Sequence, residues 1–371
     1  MVGPLLEDTD LLLLLSRRLL EFYDHHQRSL PWRDNLDVYS VWLSEVMLQQ
    51  TGVVTVLPYY QRFMGEFPTL QALAQAPLER VLFHWQGLGY YQRARHLHQT
   101  AQMIVLHHGG VFPQQLELLL ALPGIGRNTA SAILAIAFNR PYAILDGNVK
   151  RVLARLTALE APLNRVSEQC LWQLAQRLTP VERPGDYAQA IMDLGATICT
   201  PRRPQCPRCP WQPYCRARIA GRSEHYPITL ASVTKPRRWQ IGLLLSRADG
   251  RILLMKRSSR GLLAGLWEPP CSDILPETTT DQPLLPALSA DTVCRGFGLE
   301  AADWTTAQPI RHTFTHFHLT LFPWQGRWLS GEPDINAARH QSWDWVAPDE
   351  IGQFPIATLH RKLLQVFRRG L

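Results

Sequence analysis

Leu122–Arg151, LPGIGRNTASAILAIAFNRPYAILDGNVKR, is the stretch on which the reading of the first half of the chain turns. Pro123, Gly124 and Gly126 can make a tight turn that bares consecutive backbone N–H groups, where larger residues would not fit. Behind it Ala130, Ile133, Leu134 and Ala137 recur at helical spacing and form one apolar stripe. Bare amides leading into a helix N-terminus make an anion site, and phosphate is the natural guest. Asp146 then stands in LDGNVKR, just ahead of another helix. A phosphate cradle and a placed carboxylate on one short stretch point to chemistry on nucleic acid.

Working outward, the 371 residues predict about two domains at the usual ~100–200 residues each. The formal charge of +7 suits a polyanionic partner, and equally plain solubility. The apolar run Leu11–Leu15 lies between Asp8, Asp10 and Arg17, Arg18. It is too short to cross a bilayer and lacks the basic start of a signal peptide. A soluble, cytoplasmic chain, monomeric and without a membrane partner, is expected.

Periodic apolar segments at 11–27, 38–50, 53–64, 70–75, 78–86, 92–108, 115–121, 128–138, 147–158, 167–178 and 186–198 predict a helical domain over 1–220. Polar residues, prolines and a basic cluster predict a linker over 221–238. Beyond it WQIGLLLSRADGRILLMKR reads as two strands around an Asp249–Gly250 turn. Strand-like runs at 310–322 and 341–346 and a helix at 356–369 predict an α+β domain over 239–371.

Of seven cysteines, four crowd together as Cys199, Cys206, Cys209 and Cys215, spaced C-x6-C-x2-C-x5-C. In a reducing compartment such a group reads as a metal site and not as disulfides. Four thiolates can hold zinc or an iron–sulfur cluster. Cys170, Cys271 and Cys294 stand alone and read as ordinary thiols.

LPGIGRNTA, LDGNVKR and the cysteine loop, in that order, resemble the endonuclease III group of helix–hairpin–helix DNA glycosylases. LPWR at 30–33, VWLSEVMLQQT at 41–51, GLGYY at 87–91, MDLGATICT at 192–200 and RHTFTHFHL at 311–319 resemble its MutY-type adenine-removing branch. The resemblance spans nearly the whole chain. It implies a base excision repair enzyme that flips out an adenine mispaired with 8-oxoguanine or guanine in duplex DNA and hydrolyses its N-glycosidic bond. It also implies a [4Fe–4S] cluster, one per chain, on Cys199, Cys206, Cys209 and Cys215.

Such cleavage needs a proton for the departing base and stabilisation of an oxocarbenium-like sugar, which two differently tuned carboxylates can supply. The resemblance assigns the acid to Glu45 and the stabilising or transiently attacking carboxylate to Asp146. On a helix Glu45 neighbours Val41, Trp42, Leu48 and Gln49, so burial would raise its pKa. Its other reading is a charge on a solvated face. Asp146 can also serve as a helix N-cap. Leu30, Trp32, Arg33 and Gln189 are placed at the adenine pocket. Gln50 and Tyr90 are expected to enter the DNA stack, and Gly124, Gly126 and Asn128 to meet DNA at the hairpin. Asn128 stands where strand-cutting relatives carry a Schiff-base lysine, which predicts a monofunctional enzyme that leaves an abasic site.

GLLAGLWEPP at 261–270 resembles the start of a Nudix fold, but the segment that follows, CSDILPETTTDQPLL, lacks the magnesium-binding glutamates. A Nudix-like domain for 8-oxoguanine recognition is expected, through Phe314, Thr315 and His316. On one strand His312, Phe314, His316 and His318 would share a face. The competing readings are a non-catalytic iron–sulfur DNA-binding module, a thymine mismatch glycosylase and a Nudix nucleotide hydrolase. The first would need neither Glu45 nor Asp146.

Overall fold

The computed structural model describes residues 7–34, 37–228, 234–276, 289–335 and 339–368. The chain forms two compact units, Met1–Gln75 with His96–Ser232, and Ala76–Arg95 with Val233–Leu371. The segment 76–95, which the sequence placed with the helical domain, therefore groups with the second unit.

In chain order the helices are α1 (Thr9–His26), α2 (Pro31–Asp34), α3 (Val38–Leu48), α4 (Val53–Glu66), α5 (Leu70–Gln75), α6 (Leu78–Trp85), α7 (Gln92–His107), α8 (Leu116–Leu120), α9 (Arg127–Ile136), α10 (Gly147–Thr157), α11 (Arg165–Leu178) and α12 (Pro184–Asp193). A π-helical turn, Leu194–Ile198, prolongs α12, and α13 (Arg216–Ile219) follows the cysteine loop. Leu12, Leu15, Leu19 and Tyr23 form the buried stripe of α1 and share one core with α9 to α12 and Trp211. Aspartates cap the starts: Asp8 accepts from the Leu11 amide at 2.9 Å and Asp37 from that of Ser40 at 3.2 Å. Helix α3 is buried on nearly every side, Tyr39 to Ser44 and Val46 and Met47, so Glu45 is its one charged residue.

The cysteine loop is fastened from two directions. Trp211 is 1% exposed and donates from Nε1 to the Leu15 carbonyl at 2.9 Å. Buried Arg155 donates to the carbonyls of Thr200 at 2.7 Å, Pro201 at 2.9 Å and Tyr226 at 2.9 Å. Tyr226 is itself buried and the Leu163 amide bonds to the Ile228 carbonyl at 3.2 Å. Residues 221–228, expected as linker, are thus part of the helical unit; 229–233 lie outside the described residues.

The second unit is built on a mixed sheet of β1 (Arg237–Ser246), β2 (Ile252–Arg257), β3 (Trp267–Glu268), β4 (Leu275–Pro276), β5 (Glu300–Thr306), β6 (Ile310–Thr313), β7 (His318–Ser330) and β8 (His340–Val346). Strand β1 runs parallel to β7 from Arg237↔His318 to Ser246↔Arg327, while β5 and β6 pair antiparallel with β7. The β1–β2 hairpin forms at its Asp249–Gly250 turn but pairs only at Ser246↔Ile252, and β2 pairs along its length with β8. Helices α14 (Ala290–Arg295) and α15 (Thr358–Arg368) pack against the sheet. The α+β expectation holds; β5 and α14 were not anticipated, their sequences being short and weakly periodic. The 310–322 run is two strands, because the chain turns at 314–317.

Trp211→Ala removes a fully buried indole and its bond to α1. It is expected to cost about 3–5 kcal/mol and to loosen the cysteine loop, measured as a lower denaturant midpoint of the helical unit. An unchanged midpoint would mean the loop is not held from α1.

Candidate active site

Gly124 takes φ +74°, and a Cβ there would lie 2.7 Å from the His96 Cβ, so the turn requires glycine on both counts. Gly126 differs from the sequence reading: its φ is −88° and nothing lies within 4 Å of its would-be Cβ. It serves as the N-cap of α9 without a side-chain cap, which leaves the first-turn amides open to an outside acceptor. Asn128 does not simply face outward. Its Oδ1 accepts the Leu145 amide at 2.7 Å and so ties α9 to the residue preceding Asp146.

Asp146 caps α10, its Oδ1 accepting from the Val149 amide at 2.7 Å, so the N-cap reading holds. Its Oδ2 accepts from Asn148 Nδ2 at 3.3 Å. Arg151 then donates to Asn148 Oδ1 at 2.9 Å, to the Gly195 carbonyl at 2.7 Å and to the Cys199 carbonyl at 2.7 Å. A continuous chain of polar contacts therefore leads from Asp146 to the cysteine loop. A Cβ on Gly195 would sit 2.7 Å from the Asn148 Cβ, which sets how closely α10 and the π turn approach.

Glu45 opens onto a pocket also lined by Arg28, Leu30, Trp32, Arg33, Ser44 and Gln189. All four residues assigned to an adenine pocket thus meet around Glu45. The cavity is about 40 Å³, room for a few water molecules. Burial, reinforced by the charge of Asp146 and opposed by that of Arg33, pushes the Glu45 carboxyl up to about 7. Glu45 is half-buried at this pocket, which favours the protonated form of its acid over a freely solvated charge.

Asp193, which the sequence reading did not single out, holds two of the arginines that line this pocket. Its carboxylate takes Arg33 Nη1 at 2.8 Å and Nη2 at 2.9 Å, and Arg28 Nε at 2.7 Å. Burial alone would raise its carboxyl, but Arg33 and Arg28 hold it below the ordinary range. Asp193 is the second residue of MDLGATICT; only folding shows that it faces Arg33.

The four loop cysteines, with Arg155, line one cavity, and Arg155 Nη1 is 3.4 Å from Cys199 Sγ. Elsewhere, among the described residues, ligand atoms of Glu268, Cys271 and His360 converge within 4.8 Å of one another. Glu268 is already compensated, by Arg257 at 2.7 Å, His340 at 3.1 Å and His360 at 3.3 Å.

In the second unit Tyr90, with φ +50° and 45% exposed, shares an open pocket of about 580 Å³ with Arg95, the 261–264 loop and residues 312–317. The Phe314 amide bonds to the Phe317 carbonyl at 2.9 Å and the two rings stack, so Thr315 and His316 are presented at an exposed tip. That turn breaks the shared face expected for His312, Phe314, His316 and His318: His312 opposes Leu319, and His318 opposes Thr313. Gln50 is exposed and also left-handed, φ 59°. Of the segment CSDILPETTTDQPLL, 277–285 lies outside the described residues; α14 beyond it bears one carboxylate, Asp291, paired with Arg295.

Residues 43–177 match the model of the HhH-GPD superfamily of base excision DNA repair proteins, and residues 242–366 that of the NUDIX domain. The chain is 37% identical to a human adenine DNA glycosylase over 94% of its own length and 73% of that protein's. A rat adenine DNA glycosylase is also 37% identical, with 95% and 78% covered. A thermostable thymine-DNA glycosylase of known structure superposes with TM-score 0.51 at 29% identity, over 55% of this chain and 95% of that one.

Because the Glu45 carboxyl lies near 7 when folded against an ordinary 4.5, the folded state holds an extra proton between those values. The stabilisation is full below about 4.5 and is lost as pH rises through about 7. Glu45→Gln is therefore expected to be more stable than the parent at alkaline pH, on the order of 1–3 kcal/mol, and nearly equal in acid. Denaturant midpoints across pH measure this; a constant difference would mean an unperturbed acid.

Proposed function

This chain belongs to the adenine DNA glycosylases of the helix–hairpin–helix base excision repair superfamily, and on that premise we propose that the adenine it removes is one mispaired with 8-oxoguanine or guanine. The observation that carries the mechanism is the pairing of a proton-holding Glu45 with the N-capping carboxylate of Asp146. Glu45 gives its proton to the departing base. Asp146, at a helix N-terminus that is a favourable place for negative charge, stabilises the sugar cation or attacks it transiently. Water completes hydrolysis and an abasic site remains.

Leu30, Trp32, Arg33 and Gln189 surround the extruded adenine, the first two by contact and the others by hydrogen bonds. The open amides of α9 after Gly124 and Gly126 hold a phosphate without reading sequence. Asn128 offers no amine for a Schiff base, and its bond to the Leu145 amide supports a positioning role beside Asp146. Gln50 and Tyr90 fill the stack where the base leaves, and their left-handed backbones at exposed turns support it. The pocket that joins Tyr90 to Phe314, Thr315 and His316 suits a modified purine on the opposite strand, with the Thr315 hydroxyl as a donor or acceptor.

Cys199, Cys206, Cys209 and Cys215 would hold a [4Fe–4S] cluster, and the cavity that the four share supports one common metal group there. When bound it supplies a fixed centre that shapes the loop, and through Arg151 and Asn148 the loop's position reaches Asp146. The chain acts on DNA as a monomer.

Single-turnover assays on duplexes bearing adenine opposite 8-oxoguanine, guanine or thymine, and thymine opposite guanine, are expected to show alkali-labile cleavage of the first two only. Failure on the first by protein with intact cysteine-loop absorbance would sink the substrate assignment. Borohydride is expected to trap no covalent adduct comparable with that of a lysine-bearing relative. Asp146→Asn should abolish base removal and leave duplex binding mostly intact; loss of both would reduce Asp146 to a structural cap.

A further inference from the structure

The pocket presents an electrostatic problem that the assigned roles do not solve. Glu45 must keep its proton, yet Arg33 lines the same pocket and its charge favours the carboxylate. A free guanidinium beside a carboxylic acid takes the proton's place with an ion pair. Arg33 is not free. Both of its terminal nitrogens end on Asp193, and Arg28, on the same pocket wall, ends there too, 2.6 Å from Nη2. The side chains of Arg33 and Asp193 are 9% and 7% exposed, so this is a dry, bidentate ion pair and not a surface contact.

The local charges can be followed group by group. Facing Glu45 are Arg33 and Arg28 from the 28–34 segment and Asp146 from the head of α10, with Asp193 behind the arginines at the end of α12. Tyr23 of α1 lies against Arg33, ring to guanidinium 5.9 Å, and is neutral. Arg183, the next cation, is spent on Asp24 at 2.6 Å and Asp186 at 2.8 Å. Two arginines and two aspartates balance, so this cluster is neutral only while Glu45 is protonated. Without Asp193 the cluster gains a positive charge, which favours the ionised form of Glu45 on the same pocket.

We propose that Asp193 is a positioning residue for base removal: its bidentate hold on Arg33, shared with Arg28, keeps those guanidiniums from pairing with Glu45, so that the acid stays protonated while the arginines still face the base. Asp193 itself touches no reacting atom. The inference rests on the reading of Glu45 as the acid, and it deepens that reading by saying what protects the proton.

The test is the pH profile of single-turnover adenine release from an adenine–8-oxoguanine duplex, with duplex binding and cysteine-loop absorbance recorded for each variant. In the parent the rate falls as pH rises through the acid's pKa. In Asp193→Asn the falling limb is expected about one pH unit lower, an alkaline loss of about tenfold that shrinks in acid, as an unmasked opposite charge implies. Asp193→Glu, which keeps the carboxylate, is expected to restore the limb. Arg33→Gln is expected to move it the other way, to higher pH, whatever it costs in base binding. Opposite shifts are not what a scaffold residue gives. A uniform loss in Asp193→Asn with the limb in place would overturn the inference while leaving Glu45 as the acid. Should Asp193→Asn not fold, an unmoved limb in Arg33→Gln overturns it equally. Parental rates in Glu45→Gln would overturn the reading of Glu45 and the inference together.

Discussion

The bond from the Val149 amide to Asp146 Oδ1 is the contact on which the rest of the helical unit's arrangement converges. It starts α10, and it fixes a carboxylate whose other oxygen is left to Asn148 and to whatever occupies the site. Three separate parts of the chain meet to hold it: α9 through Asn128 and the Leu145 amide, the π turn through Gly195, and the cysteine loop through Arg151. A cap normally serves only its helix. Here the same carboxylate is also tied, through Asn148 and Arg151, to the cysteine loop.

The second carboxyl works under the opposite constraint. Asp146 sits where negative charge is welcome, whereas Glu45 is the one acid on a helix otherwise buried on nearly every side. Burial, with the charge of Asp146 nearby, raises the Glu45 carboxyl towards the protonated form. The arginines on the same pocket wall are both paired with Asp193.

The second unit tells a different story about reuse of a fold. Its mixed sheet and the 242–366 match are those of a NUDIX domain. What it offers is a tip, Thr315 and His316, held by a two-phenylalanine stack and facing a pocket with Tyr90. Grouping of 76–95 with this unit puts Tyr90 beside that tip, which the linear order of the chain does not suggest.

Much of this could be read from the sequence alone. Helical periodicity and the proline and glycine breaks gave nearly every helix of the first unit, because local hydrophobic pattern and backbone chemistry are carried by neighbours in the chain. The Asp249–Gly250 turn and the strands around it were legible for the same reason. Gly124, Asp146 and the four cysteines were likewise found through local motifs. What only the tertiary structure decided was the state of each group. Whether Glu45 is solvated or buried depends on what packs over α3. Whether Gly126 needs to be glycine depends on its φ and its surroundings. That Asn128 bonds the Leu145 amide, and that Asp193 closes on two arginines more than a hundred and fifty residues away, follow from long-range contacts. Burial, charge balance and proton affinity are properties of the folded surroundings, and no local spacing encodes them.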